Sequence, residues 1–361
     1  MRYSSIDILR TAGIILMVLV HFMENLSGVS NWSPTGFGAP FFAFLAGVSY
    51  SLWLNGKDNR KRADEQISKI TIRRGLFLFG TGFVFNFLVW LPEDLFNWDV
   101  LTYIGTSLIV LNWVRRGPPS VALVLAGFLC VFSPIMQKLV VYQDYWVDGY
   151  FQVDWTWTDV IIGFLFTGYF PLFPWLALPL IGFTVGNYML DSKQLRQREV
   201  GIVSFIGCAF VGLSILLFLA HSYLPSQLVL DPNDAWRMFP PSLAYLAGTI
   251  GMTLFSLASL HRWLDHNSQI SKSNGFFEFT ETMSRHSLTI YVLHHLVHLW
   301  PLWLYGMWMG QEPTFYWGKA MPLYYSVPLV FIFVVLCYYF LRWMDRTGRH
   351  GVEYWMRWLC D

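Results

Sequence analysis

The chain is 361 residues long, with 55% hydrophobic residues, 13% charged residues and a mean hydropathy of +0.44. A soluble domain carries about a quarter charged residues, so a water-soluble globule is excluded. A net charge of +1 supplies no basic excess for holding nucleic acid.

In chain order, ten segments are apolar for long enough to cross a hydrocarbon core, or nearly so: 6–27, 36–55, 73–91, 100–114, 119–140, 170–190, 200–222, 240–260, 286–308 and 322–342. The expectation is an all-α polytopic integral membrane protein of about ten transmembrane helices. It forms a single domain over 1–361 with both termini cytoplasmic. The 18 Trp, 18 Tyr and 31 Phe fit the aromatic belts of two membrane–water interfaces.

The first span, IDILRTAGIILMVLVHF, is read as a true span rather than a cleaved signal, because Asp7 and Arg10 crowd its apolar core. It carries Arg10 and His21. An offset of eleven residues at 100° each returns to within about 20°, so both point the same way, about 16 Å apart along the axis. Titratable groups inside a span are costly and mark function by default. A cation near the inner face can hold an anionic head group or phosphate. A sheltered imidazole can take or give a proton near neutral pH. The plain alternative is an Arg10 that snorkels to the interface and a His21 that makes an interhelical hydrogen bond.

Arg73 and Arg74 open the third span, either as an anion clamp beside Arg10 or as topology punctuation. The stretch 159–171 is apolar but too short to cross alone, and is expected as an interfacial or re-entrant segment leading into span six. GYFPLFPWLALPLIGFTVG then places Pro171, Pro174 and Pro179 in that span. Such prolines are tolerated where the broken helix lines protein or a cavity. Gly182 and Gly186 there have the spacing of close helix approach.

The ninth span, SRHSLTIYVLHHLVHLW, opens with Arg285 and His286. His294 and His298 share one face with Tyr291, while His295 sits about 100° round. The i, i+4 pair is also a metal-ligand spacing. No Glu follows in the HExxH sense, however, so no metal is expected. His294 is expected to face the same cavity as His21. The four cysteines, Cys130, Cys208, Cys337 and Cys360, match neither a disulfide framework nor a metal site.

Charge sets the orientation. With the N-terminus inside, only Lys138, Arg237 and Lys319 of the 24 Lys and Arg fall outside. That asymmetry fits the positive-inside rule and an even number of spans. The outer loops are instead acidic and aromatic, as in PEDLFNWD and YQDYWVDGYFQVDWTWTD.

IDILRTAGIILMVLVHF followed by APFFAFLAGVSYSL resembles the opening of the heparan-α-glucosaminide N-acetyltransferase-like family of membrane proteins. GYFPLFPWLALPLIGFTVG, MFPPSLAYLAGTIGMT and SRHSLTIYVLHH are similar to that group or its near relatives. The tail GRHGVEYWMRW resembles a G-x-E-x-x-x-R ending of related membrane proteins. The Arg, ten residues, His spacing resembles the acyltransferase-three family of the same transmembrane acyltransferase superfamily. The resemblance covers nearly the whole chain.

This resemblance implies transfer of an acyl group, usually acetyl, from cytoplasmic acetyl-CoA to a sugar, glycan or other acceptor outside, by a multi-pass protein of the inner (plasma) membrane. The implied partners are acyl-CoA, the extracytoplasmic acceptor and membrane lipid, with no nucleic acid and with a homodimer left open. By position His21 would be the catalytic histidine and Arg10 its motif partner; His294, expected in the same cavity, is the second catalytic candidate. Arg73 and Arg74 would match the basic start of the third helix that holds CoA, and the inner-face cations Arg10 and Arg285 are candidates for the same task. His294, Tyr291 or Asn25 would supply an oxyanion donor. One departure stands out. The animal lysosomal enzyme has its essential histidine in the lumenal segment after the first span, and 27–35 here (SGVSNWSPT) has none. His21 must then take the role. The competing reading is a transporter or flippase for a glycan or lipid-linked substrate, which would also want broken helices and intramembrane charge. A non-catalytic scaffold is the third.

Overall fold

A computed structural model describes residues 2–29, 36–56, 59–90, 95–147, 149–190, 197–229, 235–265 and 274–361. Residues 30–35 of the first loop, Lys57, Glu93, Asp94, Asp148, Lys193, Arg196 and Lys272, all used above, lie outside the described residues. The protein is 79% helical and crosses the membrane more than once. The one sheet among the described residues is a hairpin of two-residue strands.

The helices run in the order α1 (Ser4–Ser27), α2 (Gly38–Leu54), α3 (Asp64–Val89), α4 (Val100–Val114) and α5 (Pro119–Leu139). After the hairpin β1 (Trp146–Val147) and β2 (Tyr150–Phe151) come α6 (Trp157–Ile162), α7 (Leu172–Trp175), α8 (Ala177–Val185), α9 (Gln197–Leu219) and α10 (Leu243–Leu260). The chain finishes with α11 (Gly275–Arg285), α12 (Ser287–Trp308), α13 (Leu323–Arg346) and α14 (Val352–Cys360).

Seven of the described helical segments are long and apolar enough to cross a bilayer: Ser4–Ser27, Asp64–Trp90, Pro119–Leu139, Trp157–Leu190, Gln197–Leu219, Leu243–Asp265 and Leu323–Arg346. Three of the ten expected spans fall short of that measure. α2 and α4 are apolar but have only 17 and 15 residues. α12 has 22 residues, but its three histidines and its tryptophans make it more polar. A second difference concerns α3, which begins at Asp64, so Arg73 and Arg74 lie well inside the helix rather than at its start.

Contacts group the chain into two compact units. The larger gathers Pro40–His266. In it α3 packs on α4 and α9 on α10, each pair at a small-residue crossing. A Cβ on Gly75 would meet the Gly105 carbonyl at 2.8 Å, and one on Gly251 the Gly207 carbonyl at 2.8 Å, so glycine is what lets these backbones approach.

The proline-rich segment shows how a broken helix stays satisfied in an apolar setting. α6 starts on Thr156, whose hydroxyl accepts from the Asp159 N–H, and it continues through a wide π turn at Gly163–Thr167. The chain leaves helical geometry at Gly168 and resumes at α7. Carbonyls freed by the break are taken up from outside. Gln137 Nε2 donates to the Phe166 carbonyl at 3.3 Å and Trp146 Nε1 to the Thr167 carbonyl at 2.8 Å. Further on, Pro179 has no N–H to offer the Trp175 carbonyl one turn back. The buried Tyr103 hydroxyl fills that gap at 2.7 Å. Across from this segment, a Cβ on Gly182 would collide with the Phe44 carbonyl, and one on Gly47 with the Pro179 carbonyl. α8 and α2 therefore touch backbone to backbone.

The smaller unit gathers Arg2–Ala39 and Asn267–Leu359. α1 packs here against α11, α12 and α13, which is why its buried side chains, among them Ile6, Leu9, Ile14, Val18 and Phe22, run on past one stripe. Gly28 ends α1 in the left-handed region (φ 68°), donating to the Glu24 carbonyl, and the following loop contact brings the Gly318 N–H onto the Asn25 carbonyl at 2.7 Å. The site described next lies wholly within this unit.

Candidate functional site

α1 is unbroken from Ser4 to Ser27, so Arg10 and His21 keep the axial separation of about 16 Å and the shared face that their spacing dictates. Their surroundings differ. Arg10 is half-buried, and its Nη1 donates to the Ser284 hydroxyl at 2.9 Å and the Ser284 carbonyl at 3.3 Å, in the last turn of α11. A guanidinium at a helix C-terminus is favoured by the helix dipole and by the unpaired carbonyls there. One turn earlier Asp7 receives Arg2 (Nε to Oδ2, 2.7 Å), and Thr11 donates to the Asp7 carbonyl at 2.8 Å.

His21 is half-buried and faces α12. Its ring centroid lies 4.5 Å from that of His295 and 5.4 Å from that of His294, and the latter two are 3.9 Å apart. One ring nitrogen from each of the three falls within 4.8 Å of the others. His294 and His295 are both buried.

Hydrogen bonds fix the tautomers. His294 Nδ1 lies 3.0 Å from the Ile290 carbonyl and His295 Nδ1 lies 3.3 Å from the Tyr291 carbonyl. A carbonyl only accepts, so both Nδ1 atoms carry hydrogen, and in the neutral rings both Nε2 atoms present lone pairs. The Nε2 atom of His294 is buried without a hydrogen-bond partner. His298 is held at both nitrogens: Asn25 Nδ2 donates to its Nε2 at 2.9 Å, and its Nδ1 donates to the His294 carbonyl at 2.6 Å. It is a satisfied core histidine. Asn25 spends one of its two amide N–H donors there, and neutral His294 presents an acceptor at Nε2. Tyr291 stands beside the trio, its ring 5.8 Å from His294 and 5.5 Å from His295.

The basic residues expected to hold an anion are placed as follows. Arg285 is exposed and pairs with Asp345 (Nη2 to Oδ2, 3.1 Å), and the neighbouring His286 Nε2 meets the other oxygen of the same carboxylate at 3.1 Å. In the larger unit, Arg73 is exposed, and Arg74 lies over the Trp53 ring, 4.9 Å from its centroid. A guanidinium on an indole face gains a cation–π contact.

Periodicity singled out His294 and His298, whereas the residues beside His21 are His294 and His295. The reason is geometric. A helix crossing another presents two adjacent positions, about 100° apart, on either side of an inserted ring, and no repeat in one helix reports where its partner crosses. Ser284 as the partner of Arg10 carries no sequence signal at all.

Residues 2–223 match the family model described as heparan-alpha-glucosaminide N-acetyltransferase, catalytic. The match covers more than half of the chain and takes in Arg10, His21, Arg73 and Arg74. It ends before α12. No curated protein matches the chain.

Proposed function

Since the chain belongs to the heparan-α-glucosaminide N-acetyltransferase catalytic family and is a transmembrane acetyltransferase, we propose that it takes acetyl from cytoplasmic acetyl-CoA and delivers it to an amine or hydroxyl of a sugar on the outer side of the plasma membrane, with His21 as the reacting histidine. The observation that supports this reading most is the position of His21: half-exposed on a helix inside the matched region, with the His294 and His295 rings 5.4 and 4.5 Å away.

Acetyl-CoA supplies the acyl group as a thioester with a good leaving group. His21 takes the proton from the acceptor nitrogen or oxygen as that atom bonds to the acetyl carbon. The carbon–sulfur bond breaks, and His21 passes the proton to the departing thiolate. General-base help of this kind is worth typically 10²–10⁴-fold. Tyr291 or the second amide N–H of Asn25 meets the oxyanion. Within the smaller unit, Arg10 and Arg285 hold phosphates of CoA from the inner side. For Arg10 and Arg285 that means exchanging Ser284 and Asp345 for a phosphate oxygen. A two-step route, with acetyl carried on a His21 nitrogen, uses the same residues and would leave acetyl on the protein when acceptor is omitted.

Proteoliposomes test the reading. Acetyl-CoA outside and glucosamine inside should yield free thiol and acetylated sugar, and His21→Ala should yield neither. Passage of glucosamine without acetyl-CoA and without thiol release would replace the enzyme reading with a carrier.

A further inference from the structure

Three side chains converge here in a way that acetyl transfer does not require. We infer that His21, His294 and His295 form a binding site for one divalent transition-metal ion of the zinc class, held by three imidazoles with a fourth position open.

The donor set is the first argument. Three neutral ring nitrogens within 4.8 Å of one another, with neither thiolate nor carboxylate in the group, suit zinc, cobalt, nickel or copper and not magnesium or calcium. Zinc–nitrogen bonds of about 2.0–2.1 Å in a tetrahedron put the nitrogens about 3.3 Å apart. The trio therefore has to close by about 1.5 Å at most. His21, half-buried and on the opposite helix, is the ring with room to swing.

The tautomers are the second argument. Metal-bound histidines characteristically donate their other ring nitrogen to a carbonyl or carboxylate, which fixes the tautomer and makes the ligating atom more basic. His294 and His295 already do this, through Ile290 and Tyr291. The buried His294 Nε2 is left with a lone pair and no hydrogen-bond donor. Burying such an acceptor unsatisfied is costly, and a metal ion would relieve it. His298 shows what the alternative looks like on the same helix, with both nitrogens engaged by protein groups.

Charge is the third consideration. Three neutral ligands leave the ion's two positive charges in a low-dielectric setting. Hydroxide or another anion at the open position would offset them. Bound metal takes the lone pair that His21 would use as a base, so zinc occupancy and acetyl transfer should compete. The site itself rests on the geometry and not on the transfer reading.

Cobalt(II) added to metal-stripped, detergent-purified full-length protein should give the visible d–d absorption of a tetrahedral nitrogen site, saturating near one ion per chain. His294→Gln and His295→Gln should each weaken binding by roughly tenfold or more, with helicity by circular dichroism unchanged. His350→Gln, far along the chain in the tail, should leave it alone. A measurement without variants is the X-ray absorption of zinc-loaded protein, which should show imidazole scattering at about 2.0 Å. Binding of cobalt by a protein that releases no thiol from acetyl-CoA would support the site and sink the transfer reading. No saturable cobalt binding, saturation unaffected by His294→Gln and His295→Gln, or zinc spectra without imidazole scattering would overturn the site.

Discussion

Glu353 in the C-terminal helix caps the helix that carries the histidines by gripping Thr289. Its Oε1 accepts from the Thr289 backbone N–H at 2.9 Å and its Oε2 from the Thr289 hydroxyl at 2.5 Å. The same hydroxyl accepts from the Val352 N–H at 2.9 Å, and a Cβ on Gly351 would collide with it. The Gly and Glu of the G-x-E-x-x-x-R tail thus have one physical purpose, to seat a carboxylate at the N-terminus of α12, where the helix dipole favours an anion. Glu353→Gln should cost about 1–2 kcal/mol, and Gly351→Ala should also destabilise. Thermal unfolding in detergent reads both, and an unchanged Tm in Glu353→Gln would refute the cap.

Removing the imidazole at His21 should lower thiol release from acetyl-CoA by about 10²–10⁴-fold while leaving the protein folded, since the ring is only half-buried. Residual activity within about threefold of wild type would assign the proton transfer elsewhere.

Arg10 and Ser284 separate anion binding from helix anchoring. Arg10→Ala should raise KM for acetyl-CoA by about tenfold or more, the worth of one charge-assisted hydrogen bond. Ser284→Ala removes the hydroxyl acceptor but keeps the guanidinium, and should leave KM within about twofold while lowering Tm. Equal effects of the two substitutions on KM would make Arg10 purely structural.

In the larger unit, Gly182→Ala should destabilise by about 1–3 kcal/mol, because the added methyl meets the Phe44 backbone carbonyl rather than a side chain able to turn away. Gly201→Ala, where a Cβ meets nothing within 4 Å, is the matched control and should be neutral or better. Equal Tm values for the two variants would contradict the close crossing of α2 and α8.

Tyr145 gives a pH test outside the spans. Burial raises its hydroxyl from the usual 10.0 to about 12, helped by the hydrogen bond to Asp159 Oδ1 at 2.8 Å and by that residue's charge. A folded value above the unfolded one means that the contribution is fully present below pH 10 and fades as pH climbs toward 12. The stability gap between wild type and Tyr145→Phe should therefore shrink between about pH 10 and 12. A constant gap would mean that Tyr145 titrates normally.

The membrane class was legible because long apolar runs and sparse charge leave no other solution, and Arg10 with His21 because one straight helix carries both. The ends of α3 were not. Its first turns, Asp64–Ile72, are polar enough to read as loop, yet they are helical ahead of the apolar run. The choice between His295 and His298 depended on where α1 crosses α12. The roles of Asn25, Ser284 and Glu353 depended on contacts between residues 64 to 274 positions apart. Such pairings are set by packing, and a period within one segment carries no trace of them.

The carbonyls of Ile290 and Tyr291 have one further effect. Because each holds a ring hydrogen on the far side of its histidine, neither ring can change tautomer without breaking a bond inside the helix. An incoming proton or cation can therefore bond to either ring only at Nε2.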